Sequence, residues 1–364
     1  MKLNIFILVP SFSPTGPVKG AFALANELVS KRKVTIVSLK NGKGADAFLD
    51  NRVKQIYLSD FSSNFFGRLS EYQQILKKTG ARENVVSISY CLSADLLNFY
   101  CKKYALICSS VRGNLIKIYR LDYGIIGLPA AIYHLISLSR FDFVVSMSIS
   151  MSKQISHFSF KKSKVIGNFI DEFPIEKYRI SYSDMDPCKK HFVFVGSVSN
   201  RKRPILLINA IKKLHDNMKG VEIVLDIIGD GPMISMTQLE VKRLGIQKSV
   251  RFHGYLAEPY SLIARADAFV LPSLSEGISR ASLEALFLGV PCVLKKVDGN
   301  SELIEEGKNG TLFNEDDELV DALSRVIMIS PSTNSKRKNL LPNFFRQEHA
   351  AFEYLNLFES NELN

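Results

Sequence analysis

Short runs of consecutive apolar residues, rich in valine and isoleucine, alternate along this chain with longer stretches of helical periodicity. Runs such as 3–9, 34–39 and 268–271 are typical of strands that are buried on both faces. The stretches between them, such as 21–30 and 94–100, predict helices that cover those faces. The pattern therefore predicts an α/β protein built on parallel sheets.

A polar stretch at 171–190 interrupts this alternation once, and the alternation then starts again. In a chain of 364 residues this favours two Rossmann-like domains, at 1–170 and 191–340, which face each other across a cleft. A loose segment follows, and the residues 341–364 are expected to supply a last helix that packs back toward the N-terminal domain.

Residues 123–138 form the nearest approach to a membrane span, but Pro129 and His134 interrupt them and they are too short to cross a bilayer. We expect a core helix here, with a helix on a membrane surface as the alternative. The apolar run at the beginning of the chain is too short for a signal peptide and predicts a buried first strand.

The formal net charge of +11 is unevenly distributed. Residues 1–170 hold 23 Lys and Arg against 9 Asp and Glu, an excess of 14, whereas the remainder holds 24 against 27. A basic N-terminal half suits an anionic membrane or a phosphorylated acceptor, and an ordinary solvated basic surface is the alternative. The basic clusters are scattered and no nucleic-acid recognition motif accompanies them, so nucleic acid is not an expected partner.

Metal and disulfide chemistry have little support. The five cysteines include no C-x-x-C pair, and the six histidines show no ligand spacing, which suits a reducing, cytoplasmic setting. The sequence Asp184-Met185-Asp186 resembles a metal-binding D-x-D, but it falls in the predicted linker and not at the end of a strand. We expect neither a metal nor a cofactor.

The most informative segment begins with the predicted strand 268–271. A polar loop carrying Glu276 follows, Ser279 is a good helix N-cap, and Glu284 lies one turn into an apolar helix. In open α/β sheets, ligands bind beyond the carboxyl ends of strands, where helix-start amides favour anions. The alternatives are a solvated loop acid at Glu276 and an ordinary ion pair of Glu284 with Arg280.

Three glycine turns follow predicted strands, at Gly196, Gly229 and Gly254. The first leads into the basic run 201–203 at a helix entrance. A glycine turn after a strand is common, and the basic run could simply be a solvated surface. Together, however, the turns and the basic run favour a ligand with a diphosphate and hydroxyl-bearing rings.

Taken in order, these motifs resemble group 1 (family 4) glycosyltransferases of the GT-B fold. The resemblance covers most of residues 191–313 and rests on Gly196…Lys202, Gly229-Asp230-Gly231-Pro232, Val250-x-Phe252-x-Gly254, Ala266-Asp267 with the strand to Ser273, Glu276-Gly277…Glu284-Ala285…Gly289-x-Pro291, Gly299-x-x-Glu302 and Glu306-Gly307-x-Asn309-Gly310. Weaker echoes lie at 16–20, 110–114 and 167–171.

The resemblance implies transfer of a sugar from a UDP- or GDP-linked donor, with retention of configuration and without a metal. Glu284 would bind the ribose, Glu276 would face the sugar, and Lys202 would neutralise the diphosphate as it leaves. The implied donor-binding residues are Gly16, Gly196, Arg201, Lys202, Gly229, Gly254, Tyr255, Glu276, Gly277, Ile278, Ser279, Arg280 and Glu284. The family often has arginine directly after the first glycine, where this chain has Ser197, so Arg201 or Arg203 would supply that charge.

The acceptor side is assigned to Arg112 and Asn114 in the basic half, although Arg112 could equally be a structural loop arginine. The expected acceptor is a saccharide, lipid-linked and used in bacterial-type surface polysaccharide assembly, at the inner face of an anionic membrane. The alternatives are a GT-B-like sugar-nucleotide epimerase and a non-catalytic subunit that binds sugar nucleotides.

Overall fold

The computed structural model describes residues 3–13, 15–42, 48–159, 161–180, 188–329 and 337–360. The chain divides into two compact units, which are described separately. Unit 1 consists of Met1–Asp171 and Asn343–Asn364, and unit 2 consists of Glu172–Pro342.

Unit 1 is built on a seven-stranded parallel sheet with the order β3-β2-β1-β4-β5-β6-β7. Its strands are β1 Asn4–Ser11, β2 Lys33–Lys40, β3 Lys54–Tyr57, β4 Val85–Tyr90, β5 Leu106–Val111, β6 Phe143–Ser146 and β7 Lys164–Val165. Its first six helices are α1 Gly16–Leu28, α2 Phe65–Thr79, α3 Leu92–Phe99, α4 Leu115–Tyr123, α5 Gly127–Ser137 and α6 Ile149–Ser159.

Successive residues of β1 alternate between two apolar cores. Ile5 and Ile7 pack with α1 on one face of the sheet, and Phe6 and Leu8 pack with the core on the other face. A strand with both faces buried needs apolar residues at every position, which is why it appears in the sequence as an unbroken run.

Unit 2 repeats the arrangement with a six-stranded parallel sheet of order β10-β9-β8-β11-β12-β13. Its strands are β8 Lys189–Val195, β9 Glu222–Ile228, β10 Val250–Gly254, β11 Ala268–Leu271, β12 Cys292–Lys295 and β13 Gly310–Phe313. Its helices are α7 Phe173–Glu176, α8 Pro204–Asn217, α9 Ile234–Arg243, α10 Tyr260–Ala264, α11 Arg280–Phe287, α12 Asn300–Leu303 and α13 Leu319–Ile327. The predicted class, α/β with two parallel sheets, is confirmed.

The last helix, α14 Gln347–Glu359, belongs to unit 1. Ala350, Ala351 and Tyr354 are buried in the same core as α1, and the Tyr354 hydroxyl lies 2.8 Å from Ser110 Oγ on β5. This helix therefore completes the layer that α1 begins.

Two expectations about helices are wrong. Helix α1 begins at Gly16 and not at Ala21, so Gly16 is the first residue of a helix and not part of a loop. Pro17 in the first turn, which fits the dihedral angles of a helix start, is the signal for this earlier beginning.

The expected core helix at 123–138 is instead amphipathic and half exposed. Of α5, the buried residues are Gly127, Ala131, His134 and Leu135. The helix packs by this face against α4 and α6, and its other apolar side chains remain at the surface. Within the described ranges, every helix is too short or too polar to span a lipid bilayer.

Candidate functional site

The order of the unit 2 sheet reverses between β8 and β11. Strands β9 and β10 follow on one side of β8, and β12 and β13 follow on the far side of β11. Such a switch point opens a crevice at the carboxyl ends of the strands, because the two loops leave in opposite directions. Lys202 follows β8 and Glu276 follows β11, and a bond from Leu274 N to Arg201 O (2.8 Å) ties the two loops together.

Lys202 and Glu276 meet at this switch point. Lys202 Nζ lies 2.5 Å from Glu276 Oε1, and both side chains are about nine-tenths buried. Arg201 donates from the same Nη1 to Glu276 Oε1 (2.9 Å) and to the carbonyl of Ser275 (2.8 Å). Two cations therefore converge on one carboxylate.

Burial disfavours the charged form of Lys202 in this cluster. It lowers the pKa of the Lys202 ammonium below its ordinary value, and the charge and hydrogen bond of Glu276 oppose that shift. Charged groups are rarely buried so deeply, and strongly perturbed groups in a crevice are typical of functional sites. With two cations against one carboxylate, the cluster carries a net positive charge suited to an anion.

Asp298, which sequence reasoning missed, holds the Glu276 loop in place. Its Oδ2 accepts hydrogen bonds from Ser275 Oγ (2.7 Å) and from the backbone N–H of Glu276 (3.1 Å). Its φ of 45° is in the left-handed region, which is unusual for a residue other than glycine. Outliers of this kind concentrate at ligand sites.

The three predicted glycine turns lie side by side at the same edge of the sheet. Gly229 has φ 135°, and a Cβ there would lie 1.9 Å from the carbonyl oxygen of Gly196. The N–H of Gly229 also donates to the carbonyl of Gly254 at 2.7 Å. The close approach of these turns therefore requires glycine at position 229, and Tyr255 follows the third turn with 68% of its surface exposed.

The start of α11 completes this edge. Ser279 caps the helix by accepting from Ser282 N, Arg280 is its first residue, and Glu284 is buried one turn further on. The preceding loop is tightly packed: a Cβ on Gly299 would lie 2.3 Å from the carbonyl of Gly277 and 2.8 Å from Ile278 Cγ1. The loop therefore presents Glu276 and the helix start from a fixed backbone.

The remaining predicted site residues lie in unit 1. Gly16 opens α1, and a Cβ there would meet nothing within 4 Å. Asn114 caps α4, since its Oδ1 accepts from Lys117 N (3.0 Å) and from Gln154 Nε2 (2.7 Å). Arg112 follows β5 and lines a cavity.

This cavity of about 570 Å³ lies at the carboxyl ends of β1, β4 and β5, beside the switch point of the unit 1 sheet. Its walls are mainly apolar. They include Leu92, Val111, Leu115, Ile118, Tyr119, Tyr123 and Ile126.

In the part of the chain that the structure describes, Arg112 is held among aromatic rings and not against a carboxylate. Its guanidinium lies 4.6 Å from the ring centre of Tyr90 and 5.5 Å from that of Phe169, and Nη2 donates to Tyr90 Oη at 3.2 Å. Nη1 makes a long 3.4 Å bond to Asn168, while its buried Nε has no hydrogen-bond partner in the described residues. An arginine placed in this way has capacity for a further anion.

A buried hydrogen-bonded chain forms the inner wall of the same cavity, and sequence reasoning missed it. His134 Nε2 lies 2.8 Å from Asp95 Oδ2, and His134 Nδ1 lies 3.3 Å from the Tyr119 hydroxyl. Ser89 also donates to Asp95, at 2.6 Å. Burial and the nearby Asp95 raise the pKa of Tyr119 to about 12, so its hydroxyl stays protonated at neutral pH.

The described residues contain no group of three His, Cys, Asp or Glu side chains that could hold a metal ion. The D-x-D at 184–186 lies outside the described residues.

Residues 189–328 match the family described as "Glycosyl transferases group 1". The chain carries a group 1 glycosyl transferase domain. This match confirms the resemblance drawn from the motifs, and it covers β8 through α13, which hold the cluster of Lys202 and Glu276.

Individual proteins that are similar to this chain are also named as glycosyltransferases. An N-acetyl-D-galactosaminyltransferase of Campylobacter jejuni, which is named for a saccharide on diphosphoundecaprenol, is 24% identical over 98% of both chains. An Escherichia coli enzyme named UDP-Gal:alpha-D-GlcNAc-diphosphoundecaprenol alpha-1,3-galactosyltransferase is 30% identical over 37% of this chain and 36% of its own length.

Solved structures show the same fold. HepE of Anabaena, in complex with UDP and glucose, has a TM-score of 0.77 at 18% identity, over 98% of this chain and 100% of its own. TarM of S. aureus has a TM-score of 0.78 at 14% identity over 98% and 100%. This glycosyltransferase therefore has the GT-B fold.

Proposed function

We propose that this glycosyltransferase moves a sugar from a UDP-type donor to a lipid-linked saccharide, in the assembly of a bacterial-type surface polysaccharide. The observation that carries the donor half of the proposal is the buried contact of Lys202 with Glu276 at the switch point of unit 2. This contact places a cation for a diphosphate and a carboxylate for sugar hydroxyls within one crevice.

Each residue has one role in this proposal. Glu284, buried on α11, accepts hydrogen bonds from the ribose, and Glu276 accepts from hydroxyls of the transferred sugar. Lys202 and Arg201 pair with the diphosphate. The glycine turns at Gly196 and Gly229 let the backbone approach the nucleotide, because no side chain stands in the way.

The reaction breaks the bond between the anomeric carbon and the diphosphate oxygen, and forms a bond from that carbon to an acceptor hydroxyl oxygen. The proton of the hydroxyl leaves with the diphosphate, on which negative charge grows as the bond breaks. Lys202 and Arg201 stabilise that charge, and stabilisation of this kind is usually the largest catalytic contribution. Retention of configuration, and catalysis by these cations without a metal, belong to the proposal.

Two further observations support the choice of donor and acceptor. HepE and TarM have been solved with UDP, which favours UDP over GDP for a chain of the same fold. The relatives from Campylobacter and Escherichia are named for acceptors on diphosphoundecaprenol. Arg112, with a guanidinium that no carboxylate neutralises in the described residues, is the acceptor-side cation that suits such a phosphate.

The basic excess of residues 1–170 is consistent with work at an anionic membrane surface, on its cytoplasmic face. Failure to bind anionic vesicles even at low salt would contradict this part of the proposal.

The test is a transfer assay with excess EDTA, in which UDP- and GDP-linked sugars are offered with undecaprenyl-diphosphate saccharides. We expect one UDP-sugar to be consumed only when an acceptor is present, and NMR of the product to show the anomeric configuration of the donor. An inverted product would contradict retention, and loss of activity in EDTA would contradict metal independence. Turnover of the donor without any acceptor would favour an epimerase or hydrolase.

A further inference from the structure

A second cavity of unit 1 lies at the amino ends of its strands and has a volume of about 400 Å³. It is lined by the first residues of β1, β2 and β3, which are Asn4, Lys33 and Lys54. The cavity that Arg112 lines is at the carboxyl ends of strands in the same sheet. We call the second cavity the basal cavity, because it opens at the opposite edge of the sheet.

The register of the three strands explains which side chains meet in the basal cavity. Asn4 is paired with Lys33, and Lys54 is paired with Thr35, two residues further along β2. Paired residues of neighbouring strands lie on the same face of a sheet, as do residues two positions apart in one strand. Lys33 and Lys54 therefore lie on one face, separated by a single step between strands.

The inner wall of the basal cavity is apolar. Phe6 is 5% exposed and packs edge-on against Tyr72 of α2, and Ile56 and Ile75 pack against the same core. Helix α2 covers this face of the sheet as far as Thr79, whose hydroxyl donates to the carbonyl of Ile75 at 2.8 Å. The strands begin beyond the end of this helix, which leaves a concave apolar surface open to solvent.

Four cations line the basal cavity, and none of the described residues that line it is acidic. The cations are Arg32, Lys33, Arg52 and Lys54. Arg32 forms an ion pair with Glu359 of α14, and Arg52 forms one with Asp50 at 2.7 Å. Lys33 and Lys54 are exposed and have no partner within the ranges that the structure describes. Two ammonium groups are therefore left without a counter-charge at this cavity.

Arg32 supplies a second sign that the basal cavity is incomplete without a ligand. Its Nε is buried and has no hydrogen-bond partner among the described residues. Buried donors of this kind are nearly always paired in folded proteins, and each exception calls for an explanation.

A phosphate monoester with an apolar organic part fits this lining. The phosphate of such an ester carries a charge of about −1.5 to −2 at pH 7 and offers three strong acceptor oxygens, which matches two ammonium groups better than a single carboxylate would. The apolar inner wall suits a ring or an aliphatic group. The volume of the cavity falls in the range of pockets that hold small ligands, roughly 300–1,000 Å³.

We propose that the basal cavity is a binding site for a small organic phosphate monoester, with its phosphate at Lys33 and Lys54 and its apolar part against Phe6, Ile56 and Ile75. The site is separate from the transfer reaction, because its ligand lies at the amino ends of the strands and the residues assigned to donor and acceptor follow the carboxyl ends of strands. The inference therefore does not rest on the proposed function.

The test is calorimetric titration of the full chain with phenyl phosphate at low ionic strength. We expect saturable binding by the wild type and at least about tenfold weaker binding by Lys33→Gln/Lys54→Gln, since two charge-assisted hydrogen bonds are lost. The matched control is Lys103→Gln/Lys153→Gln, which changes the net charge of unit 1 equally at two exposed lysines outside the cavity and should bind like the wild type. Lys33→Arg/Lys54→Arg keeps both charges and should retain binding.

Three outcomes would overturn the proposal. The first is the absence of saturable binding by the wild type. The second is equal affinity of Lys33→Gln/Lys54→Gln and its control, because the attraction would then be a property of the net charge. The third is binding that Lys202→Met abolishes and Lys33→Gln/Lys54→Gln preserves, because phenyl phosphate would then occupy the candidate donor site of unit 2.

A series of ligands tests the two parts of the basal cavity separately. Methyl phosphate has the charge of phenyl phosphate without its ring, and it should bind about tenfold more weakly because less apolar surface is buried. Phenyl sulfate has the ring but a single negative charge, and it should also bind more weakly. Equal affinity for phenyl and methyl phosphate would contradict the role of the apolar wall, and equal affinity for the phosphate and the sulfate would contradict the choice of a monoester dianion.

Discussion

The candidate donor site of unit 2 and the cavity of unit 1 occupy equivalent places, beside the switch point of a parallel sheet, but they are built differently. In unit 2, two cations and a carboxylate lie in direct contact, within loops that glycines and Asp298 hold tightly. In unit 1, a single arginine packed between aromatic rings faces mainly apolar walls. The first arrangement suits a small, highly charged ligand, and the second suits an amphiphile.

The difference explains why only one of the two sites is visible in the sequence. Binding of a nucleotide diphosphate sugar requires particular functional groups after particular strands. These residues appear in the sequence as motifs in a fixed order. An apolar pocket requires mainly a suitable shape, and many different sequences can form such a shape. A variant that alters one site should therefore leave binding at the other site unchanged.

Replacing Lys202 is expected to have the largest effect. Lys202→Met removes the buried cation closest to Glu276, and kcat for transfer should fall about 100- to 1,000-fold because charge on the leaving diphosphate loses its main partner. Initial rates at saturating donor measure this. Lys212→Met, which breaks an exposed pair with Asp216 on α8, is the control and should keep full activity. Equal rates for the two variants would remove Lys202 from the mechanism.

Replacing Arg112 should affect the acceptor alone. Arg112→Gln is expected to lower kcat/KM for the lipid-linked acceptor about 10- to 100-fold, the loss typical of a hydrogen bond to a charged group, and to leave the affinity for UDP unchanged. Steady-state kinetics and calorimetric titration with UDP separate the two quantities. Lys77→Gln, on the exposed face of α2, controls for the change in net charge. A matching loss of UDP affinity would place Arg112 on the donor side.

Replacing Asp298 tests whether its hydrogen bonds are needed to hold the Glu276 loop in place. Asp298→Gly suits the positive φ but loses the bonds to Ser275 and Glu276, so affinity for the UDP-sugar should fall about tenfold. Asp298→Asn keeps an acceptor oxygen and tolerates the backbone, so its loss should be smaller. Calorimetry gives both affinities, and identical values for wild type, Asn and Gly would show that the bonds do not matter.

The smallest effect concerns pH. The pKa of Lys202 is lowered by burial, so its charge is lost as pH rises through a value below that of an ordinary lysine, and kcat should decline there. Since the unfolded chain holds this proton to higher pH than the folded chain, the free energy of unfolding from this group rises with pH between the two pKa values. Lys202→Arg should move the alkaline decline upward, because guanidinium stays charged. An unchanged pH–rate profile would contradict this.

Much of the fold followed from the sequence, for a physical reason. Strands buried on both faces need continuous apolar runs, and β1 and β11 could be predicted from such runs alone. The apolar periodicity predicts a helix only from Ala21, whereas α1 begins at Gly16, because proline fits a first helical turn.

What the sequence did not reveal depends on contacts between distant positions. His134 was noticed only as an interruption of an apolar stretch, since its partner Asp95 lies 39 positions away. Asp298 gave no signal because a positive φ at a residue other than glycine is set by its surroundings. The apolar segment 123–138 was expected in the core, because average apolarity does not distinguish a buried helix from one that exposes apolar side chains at the surface.

Calorimetric titration of the full chain with UDP in excess EDTA tests most directly whether the switch point of unit 2 holds the donor. We predict saturable binding by the wild type, at least about tenfold weaker binding by Glu284→Ala, and wild-type binding by Glu222→Ala, which removes an exposed carboxylate of the same unit. Equal affinity of Glu284→Ala and the wild type, or no binding of UDP by the wild type, would contradict the account.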